Sequence, residues 1–257
     1  MSLPLPSTLS PSKLGKFVSC PLAFRYSYIE HLPEPTTIYQ LRGTLLHRAL
    51  QILFSESDAD ERTRESAEEA LIAATAELEE EIAMLQLEAD ERRVFDREAR
   101  TLLEHYFNLE DPTEVQPIGL ELDLRAPLQG VELRGIIDRL DRLEDDRFVL
   151  IDYKTGRSPR VEQSRSRLIG VQFYAFLCES TLGIRPSEVR LMYLKDQVVV
   201  VESPTDQSMR GLAQRALAVW AAIERACTTG DFRPNPSPLC KSCAFSSFCP
   251  AFAAASA

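Results

Sequence analysis

The amino-acid sequence predicts an α/β fold in which a central mixed sheet is flanked by helices, with a helical N-terminal region and an irregular C-terminal tail. Three observations carry that expectation. Apolar residues recur at helical spacing as far as Phe107. From Pro117 the period changes to alternation, in segments short enough for strands. A further helical pattern then separates the third strand segment from the fourth, which implies a crossover and so at least one parallel pair.

Taken in order, Ser10 followed by Pro11 reads as a helix cap with proline in the first turn, and Leu14, Phe17 and Val18 continue the apolar stripe. In "TIYQLRGTLLHRALQILF", Leu46, Leu50, Leu53 and Phe54 fall on one helical face, with His47 beside it. Residues 56–110 form an acidic helical insert whose apolar positions, Leu71, Ala74, Leu78, Ile82 and Leu85, are helically spaced. The strand segments are "IGLELDL", "VELRGIIDRLD", "RFVLIDYK", "EVRLMYL" and "QVVVVES", a sheet core over 117–202. Helices are expected at 165–182 and 206–229, and the tail, 231–257, is punctuated by proline. There are no internal repeats, and one domain over 1–257 is the expected organisation.

The 257 residues are 44% hydrophobic and 26% charged, as in ordinary globular proteins. No run of eighteen apolar residues and no signal-like start is present, so a cytoplasmic protein without a membrane partner is expected. A net charge of −10 argues at first against a polyphosphate ligand. The charge is local, however. Residues 56–98 hold 16 acids against 5 arginines, leaving 23 acids against 24 bases elsewhere.

The stretch "VLIDYKTG", 149–156, sets an acid and a base two apart in an otherwise apolar strand. Alternation puts Leu150, Asp152 and Lys154 on one face, and on the preceding strand Asp138 stands alone among Ile136 and Leu140. Two carboxylates about 4 Å apart repel by about 4 kcal/mol at an effective dielectric near 20, so something positive belongs between them. Lys154 alone would make this a strand-end salt bridge. A divalent cation held by Asp138, Asp152 and the His47 imidazole would make it a hydrolytic site, and magnesium or manganese suits such ligands.

At these residues the chain resembles the PD-(D/E)XK nuclease superfamily. "GIIDRLD" followed by "VLIDYKTG" is similar to its D…(D/E)-x-K core, and "RGTLLHRAL" to the histidine helix of its RecB-like exonuclease branch. "LSPSKLGKFVSCPLAFRYSYIEHL" resembles the members that carry an iron-sulfur cluster. The resemblance implies a restriction-endonuclease-like core. It also implies that His47, Asp138, Asp152 and the Tyr153 backbone carbonyl bind Mg2+ or Mn2+, and that Lys154 positions the attacking water. Gln172 matches a glutamine of the following helix. The tyrosine usually found four residues after it is Phe176 here, with Tyr174 two residues earlier, so no tyrosine role carries over. Glu121 is a further strand acid that either faces the site or is solvated.

Six cysteines in a chain of this kind read as thiols or metal ligands. Cys240, Cys243 and Cys249 are clustered, which alone would fit a fragment of a zinc site, but there is no second close pair. The resemblance supplies Cys20 as fourth ligand of a [4Fe-4S] cluster, making the tail an iron-sulfur wrap. Closing a loop of roughly 220 residues removes about 5 kcal/mol of unfolded-chain entropy. Cys178 and Cys227 lie in apolar helical patterns and read as buried small side chains.

Arg157, Arg160, Arg165 and Arg167 follow the lysine and form a candidate DNA-binding loop, extended by Arg42, Arg139 and Arg142. The expected function is a metal-dependent deoxyribonuclease, an exonuclease acting on single strands or ends in DNA repair or recombination, with a helicase or other repair protein as partner. A CRISPR-adaptation nuclease with corresponding partners shares this motif set. A noncatalytic iron-sulfur scaffold that binds DNA ends is the alternative outside the enzymes.

Overall fold

The computed structural model describes residues 2–158 and 164–253, with side chains described over 2–158 and 170–252. In chain order the helices are α1 (Pro11–Ser19), α2 (Pro21–Tyr28), α3 (Ile38–Glu56), α4 (Arg64–Glu77), α5 (Glu79–Met84), α6 (Ala89–Tyr106), α7 (Ser164–Leu182), α8 (Asp206–Thr229) and α9 (Pro250–Ala253). The strands are β1 (Pro117–Leu128), β2 (Val131–Arg142), β3 (Phe148–Lys154), β4 (Glu188–Tyr193) and β5 (Val198–Glu202).

Local chemistry sets these boundaries. The Ser10 hydroxyl accepts from Lys13 N–H at 3.2 Å, and Pro11 occupies the first turn of α1. Thr37 and Gln40 make a reciprocal capping box on α3, and Thr205 with Ser208 does so on α8. Gly230, at φ 73°, ends α8 in the left-handed conformation that its missing Cβ permits.

The five strands pair in the order β1-β2-β3-β4-β5. β3 runs antiparallel to β2 and parallel to β4, and α7 makes the crossover between the parallel pair. β5 returns antiparallel to β4, so the sheet is mixed as expected. The fold is an α/β mixed sheet with flanking helices.

The chain divides into two compact units, residues 1–35, 125–135 and 205–257 in one, 36–124 and 136–204 in the other. In the second, α3, α4 and α6 bury Leu46, Leu50, Leu53, Phe54, Leu71, Phe95 and Leu103 against Val149, Ile151 and Tyr153 of β3. Truncating one such leucine to alanine costs about 2–5 kcal/mol. The other face of β3 is thereby left for Leu150, Asp152 and Lys154.

The basic path expected from Arg42, Arg139 and Arg142 does not form. Arg139 is fully buried in that core, donating to Glu110 at 2.6 Å, to Asp141 at 2.9 Å and to the Tyr153 hydroxyl at 2.6 Å, with its guanidinium 4.5 Å from the Phe54 ring centre. A buried charge needs such partners, and these consume it. Arg42 is buried and paired with Glu98, while exposed Arg142 pairs with Asp146.

In the first unit, Leu9 bridges to Leu133, α1 packs on α8, and Leu3 N–H donates to the Cys227 carbonyl. Cys178 and Cys227 are buried, each in its own unit. No described helix is long and apolar enough to cross a membrane.

Candidate metal centre

β2 and β3 place the two acids. Leu140 pairs with Leu150 and Arg139 with Ile151, so one step further along this register Asp138 stands opposite Asp152 on the face away from the core. There the side chain takes over from the ladder, and Asp138 Oδ2 accepts from Tyr153 N–H at 2.7 Å.

α3 brings His47 to the same strand ends. Its Nε2–H donates to the Tyr153 carbonyl at 3.0 Å, and its Nδ1 lies 3.5 Å from Asp138 Oδ1. One turn earlier, Gly43 makes that approach possible, since a Cβ there would stand 3.2 Å from Thr155 Oγ1.

Glu121 completes the group. It sits within β1 at φ 47°, a conformation costly for any residue but glycine, and this kink turns its carboxylate toward His47 and Asp138. Ligand atoms of His47, Glu121 and Asp138 all lie within 4.8 Å of one another, and among the described residues this is the group so arranged. Asp152 instead pairs with Lys154, Nζ to Oδ2 at 2.6 Å. Of the expected metal set, His47, Asp138 and the Tyr153 carbonyl are therefore in direct contact, while the Asp152 carboxylate is engaged by the lysine. An open groove of about 680 Å³ leads to the centre, lined by Tyr39, Gly43, His47, Arg48, Glu121 and Thr155.

Electrostatically the site is short of positive charge. Burial and the neighbouring Asp138 push the Glu121 carboxyl up to about 7. Burial likewise raises Asp152, against the downward pull of Lys154. For His47 burial favours the neutral ring, but the Asp138 hydrogen bond outweighs it and raises the pKa. Burial would raise Asp138, and the His47 bond overrides that and lowers it. Lys154 is raised because Asp152 outweighs its burial, so the amine stays charged. A set of hard oxygen donors and one imidazole, with two carboxyls held toward protonation, fits a hard divalent cation.

The sequence alone assigns no role to Tyr174, yet it belongs here. Burial, then Asp152 and Asp138, raise its phenol, and Lys154 feels it in return, which sets its side chain in the field of the site. The signal is local, since this tyrosine stands two residues from Gln172 on α7. Gln172 is half-buried on that helix. Arg157 is exposed immediately after β3, where Ser158 N–H and Oγ donate to Asp196. Arg160 lies outside the described residues, and of Arg165 and Arg167 only the helical backbone is described.

The first unit holds Cys20, Cys240, Cys243 and Cys249. Cys20 caps α2, and its sulfur accepts from Asn235 N–H at 3.5 Å; Cys240 accepts from Ser237 N–H at 3.3 Å. Tyr26 lies in the field of both Cys20 and Cys249, and its ring packs 5.2 Å from Phe245 and 5.3 Å from Phe248. The four cysteines are partly exposed, and no three of them approach as closely as the ligands of the His47 group.

Comparison with known proteins defines the class. Residues 8–250 match the family model of the PD-(D/E)XK nuclease superfamily, and the chain belongs to that superfamily. Over 163 residues, 60% of the chain, it is 28% identical to an ATP-dependent helicase/deoxyribonuclease subunit of Streptococcus mutans. Over 159 residues, 59% of the chain, it is 27% identical to a protein of the same description from Streptococcus equi subsp. zooepidemicus. The matched stretch covers 14% of the length of each relative. A crystal structure of a candidate exonuclease from Eubacterium rectale superposes with a TM-score of 0.61 over 92% of this chain and 87% of that one. At 10% identity that likeness bears on the fold.

Proposed function

We propose that the chain is a divalent-metal-dependent deoxyribonuclease acting on single strands or strand ends, the nuclease part of a repair or recombination activity that works with a helicase. The observation that carries this is the convergence of His47, Asp138, Glu121 and the Tyr153 carbonyl beside the Asp152–Lys154 pair, in a chain of the PD-(D/E)XK nuclease superfamily. The helicase partner is suggested by the description of the streptococcal relatives as helicase/deoxyribonuclease subunits.

His47, Asp138, Asp152, Glu121 and the Tyr153 carbonyl would hold Mg2+ or Mn2+, which when bound polarises a phosphoryl oxygen and lowers the pKa of water. Lys154, kept charged by Asp152, orients the water and offsets charge on the phosphate; a raised pKa makes it a poor general base. The His47 bond to the Tyr153 carbonyl and the Tyr153 N–H bond to Asp138 fix the ligands relative to one another. Hydrolysis adds one water across a P–O bond and leaves one phosphate end and one hydroxyl end.

Cys20, Cys240, Cys243 and Cys249 are proposed to carry a [4Fe-4S] cluster, which takes four thiolates. The N–H bonds to two of the sulfurs and the shared neighbour Tyr26 support this. The role is structural, joining the N-terminal helix pair to the tail.

The test incubates purified protein with end-labelled linear and circular single strands, in magnesium, manganese or chelator. Metal-dependent shortening of linear strands is expected. Binding without cleavage under every condition would decide for the noncatalytic scaffold. Anaerobically prepared protein should be brown and contain iron, whereas stoichiometric zinc without iron would overturn the cluster.

A further inference from the structure

We infer that Tyr39 is a stacking platform for one unpaired base of the substrate strand, which makes the groove along α3 a single-strand path. The inference rests on the nuclease reading of the His47 centre and adds how the strand is gripped. Tyr39, Gly43 and His47 are spaced four and four on α3, so they form one line along the helix, and all three line the same groove. Eight residues of helix span about 12 Å, a few nucleotides' reach from the proposed scissile phosphate.

Tyr39 is 69% exposed, unusual for a large aromatic side chain with no solvent-side partner among the described residues. It is also held in place. Arg42, 5% exposed and paired with Glu98, puts its guanidinium 5.3 Å from the centre of the Tyr39 ring. The Arg42 Nε is buried without a hydrogen-bond partner among the described residues, leaving the ring as what lies over that cation. A ring anchored on a buried cation and otherwise open to solvent is preorganised for stacking, and the glycine between it and His47 keeps the floor low where a sugar-phosphate backbone would cross. Base stacking on an aromatic side chain is sequence-tolerant and needs an unpaired base, so the chemistry selects single strands over duplex.

The experiment uses the full chain carrying Asp152→Ala, so that strands are bound without being cut, and oligothymidines with a single 2-aminopurine walked along the sequence. At one position stacking should quench the fluorophore. Tyr39→Ala should abolish that quench and weaken binding roughly ten- to a hundredfold, as loss of one stacked base does. Tyr39→Phe should retain both. An unchanged quench and unchanged affinity in Tyr39→Ala, in a protein whose Asp152 form cuts strands with metal, would sink the stacking role alone. Failure of the parent protein to bind or cut any strand would remove the nuclease reading with it. A single abasic step at the quenched position offers a second check: it should weaken binding by the protein that keeps Tyr39 and be without effect on Tyr39→Ala.

Discussion

The two candidate metal-binding regions differ in how they are held. The His47 centre stands on two central strands and a helix whose opposite face is dry core, and its donors are already engaged with one another, His47 with Asp138 and Lys154 with Asp152. The four thiols sit on a helix junction and on short turns, partly exposed, with single backbone N–H bonds to two of the sulfurs. The first region is assembled by the fold, with the carboxylates of Glu121, Asp138 and Asp152 set beside one imidazole and one ammonium. The second packs Tyr26 against Phe245 and Phe248, but its four sulfurs are not drawn together as the His47 group is.

The largest expected effect falls on the assembled site. Asp152→Ala removes a carboxylate at the strand end while leaving the core of β3 intact, and should lower metal-dependent cleavage by roughly 10²–10³-fold or more with strand binding retained. Cleavage at the parental rate would break the assignment. Cys243→Ala is the counterpart in the thiol region. If the proposed cluster is present, the substitution should eliminate iron binding and destabilise the protein by about 2–5 kcal/mol, read as a lower denaturation midpoint, because such a cluster would close a very long loop. If unfolding and iron content are unchanged, the two regions do not differ in the way described.

The same contrast explains what is legible in the sequence. Alternation in "VLIDYKTG" and helical spacing in "RGTLLHRAL" are local, and they place Asp138, Asp152, Lys154 and His47 on the elements where the structure has them. The turn chemistry of Ser10, Thr37 and Thr205 is similarly local. Glu121 is readable as a strand acid but not as kinked, because no glycine marks φ 47° there and the conformation is imposed by what surrounds it. Arg139 looks like a surface base. Its partners Glu110 and Phe54 come from distant segments, and only the assembled core reveals that the charge is spent. Asp152 is expected to face a cation, and the structure pairs it with the neighbouring Lys154 at 2.6 Å.

Metal affinity gives a smaller effect with a definite sign. Burial and Asp138 hold Glu121 at about 7, so below that pH a cation must displace its proton and above it meets a carboxylate. Manganese affinity, measured by calorimetry or by the resonance of the free ion, should therefore rise as pH increases from about 6 to 8, with proton release on binding at the lower end. Glu121→Gln should cost about tenfold in affinity and flatten that rise. A pH profile identical to the parent's would place Glu121 outside the ligand set and leave Asp138 and His47 to act without it.

The smallest effect should come from the surface, where a comparison between regions is again the sharpest probe. Arg157 is exposed just beyond β3, on a turn tied down by the Ser158 bonds to Asp196. Arg233, in the thiol region, is also exposed but paired with Asp231 at 3.0 Å, whereas Arg157 acts on Asp196 only through its field. A phosphate contact contributes about 0.7 to the slope of log affinity against log salt for a single strand. Arg157→Ala should therefore reduce the slope by about that amount and weaken binding a few-fold, while Arg233→Ala leaves the slope unchanged. The reverse result would route the strand's phosphates past the cysteines, because a charge that already has a carboxylate partner yields a counterion-release signal only when the nucleic acid displaces that partner.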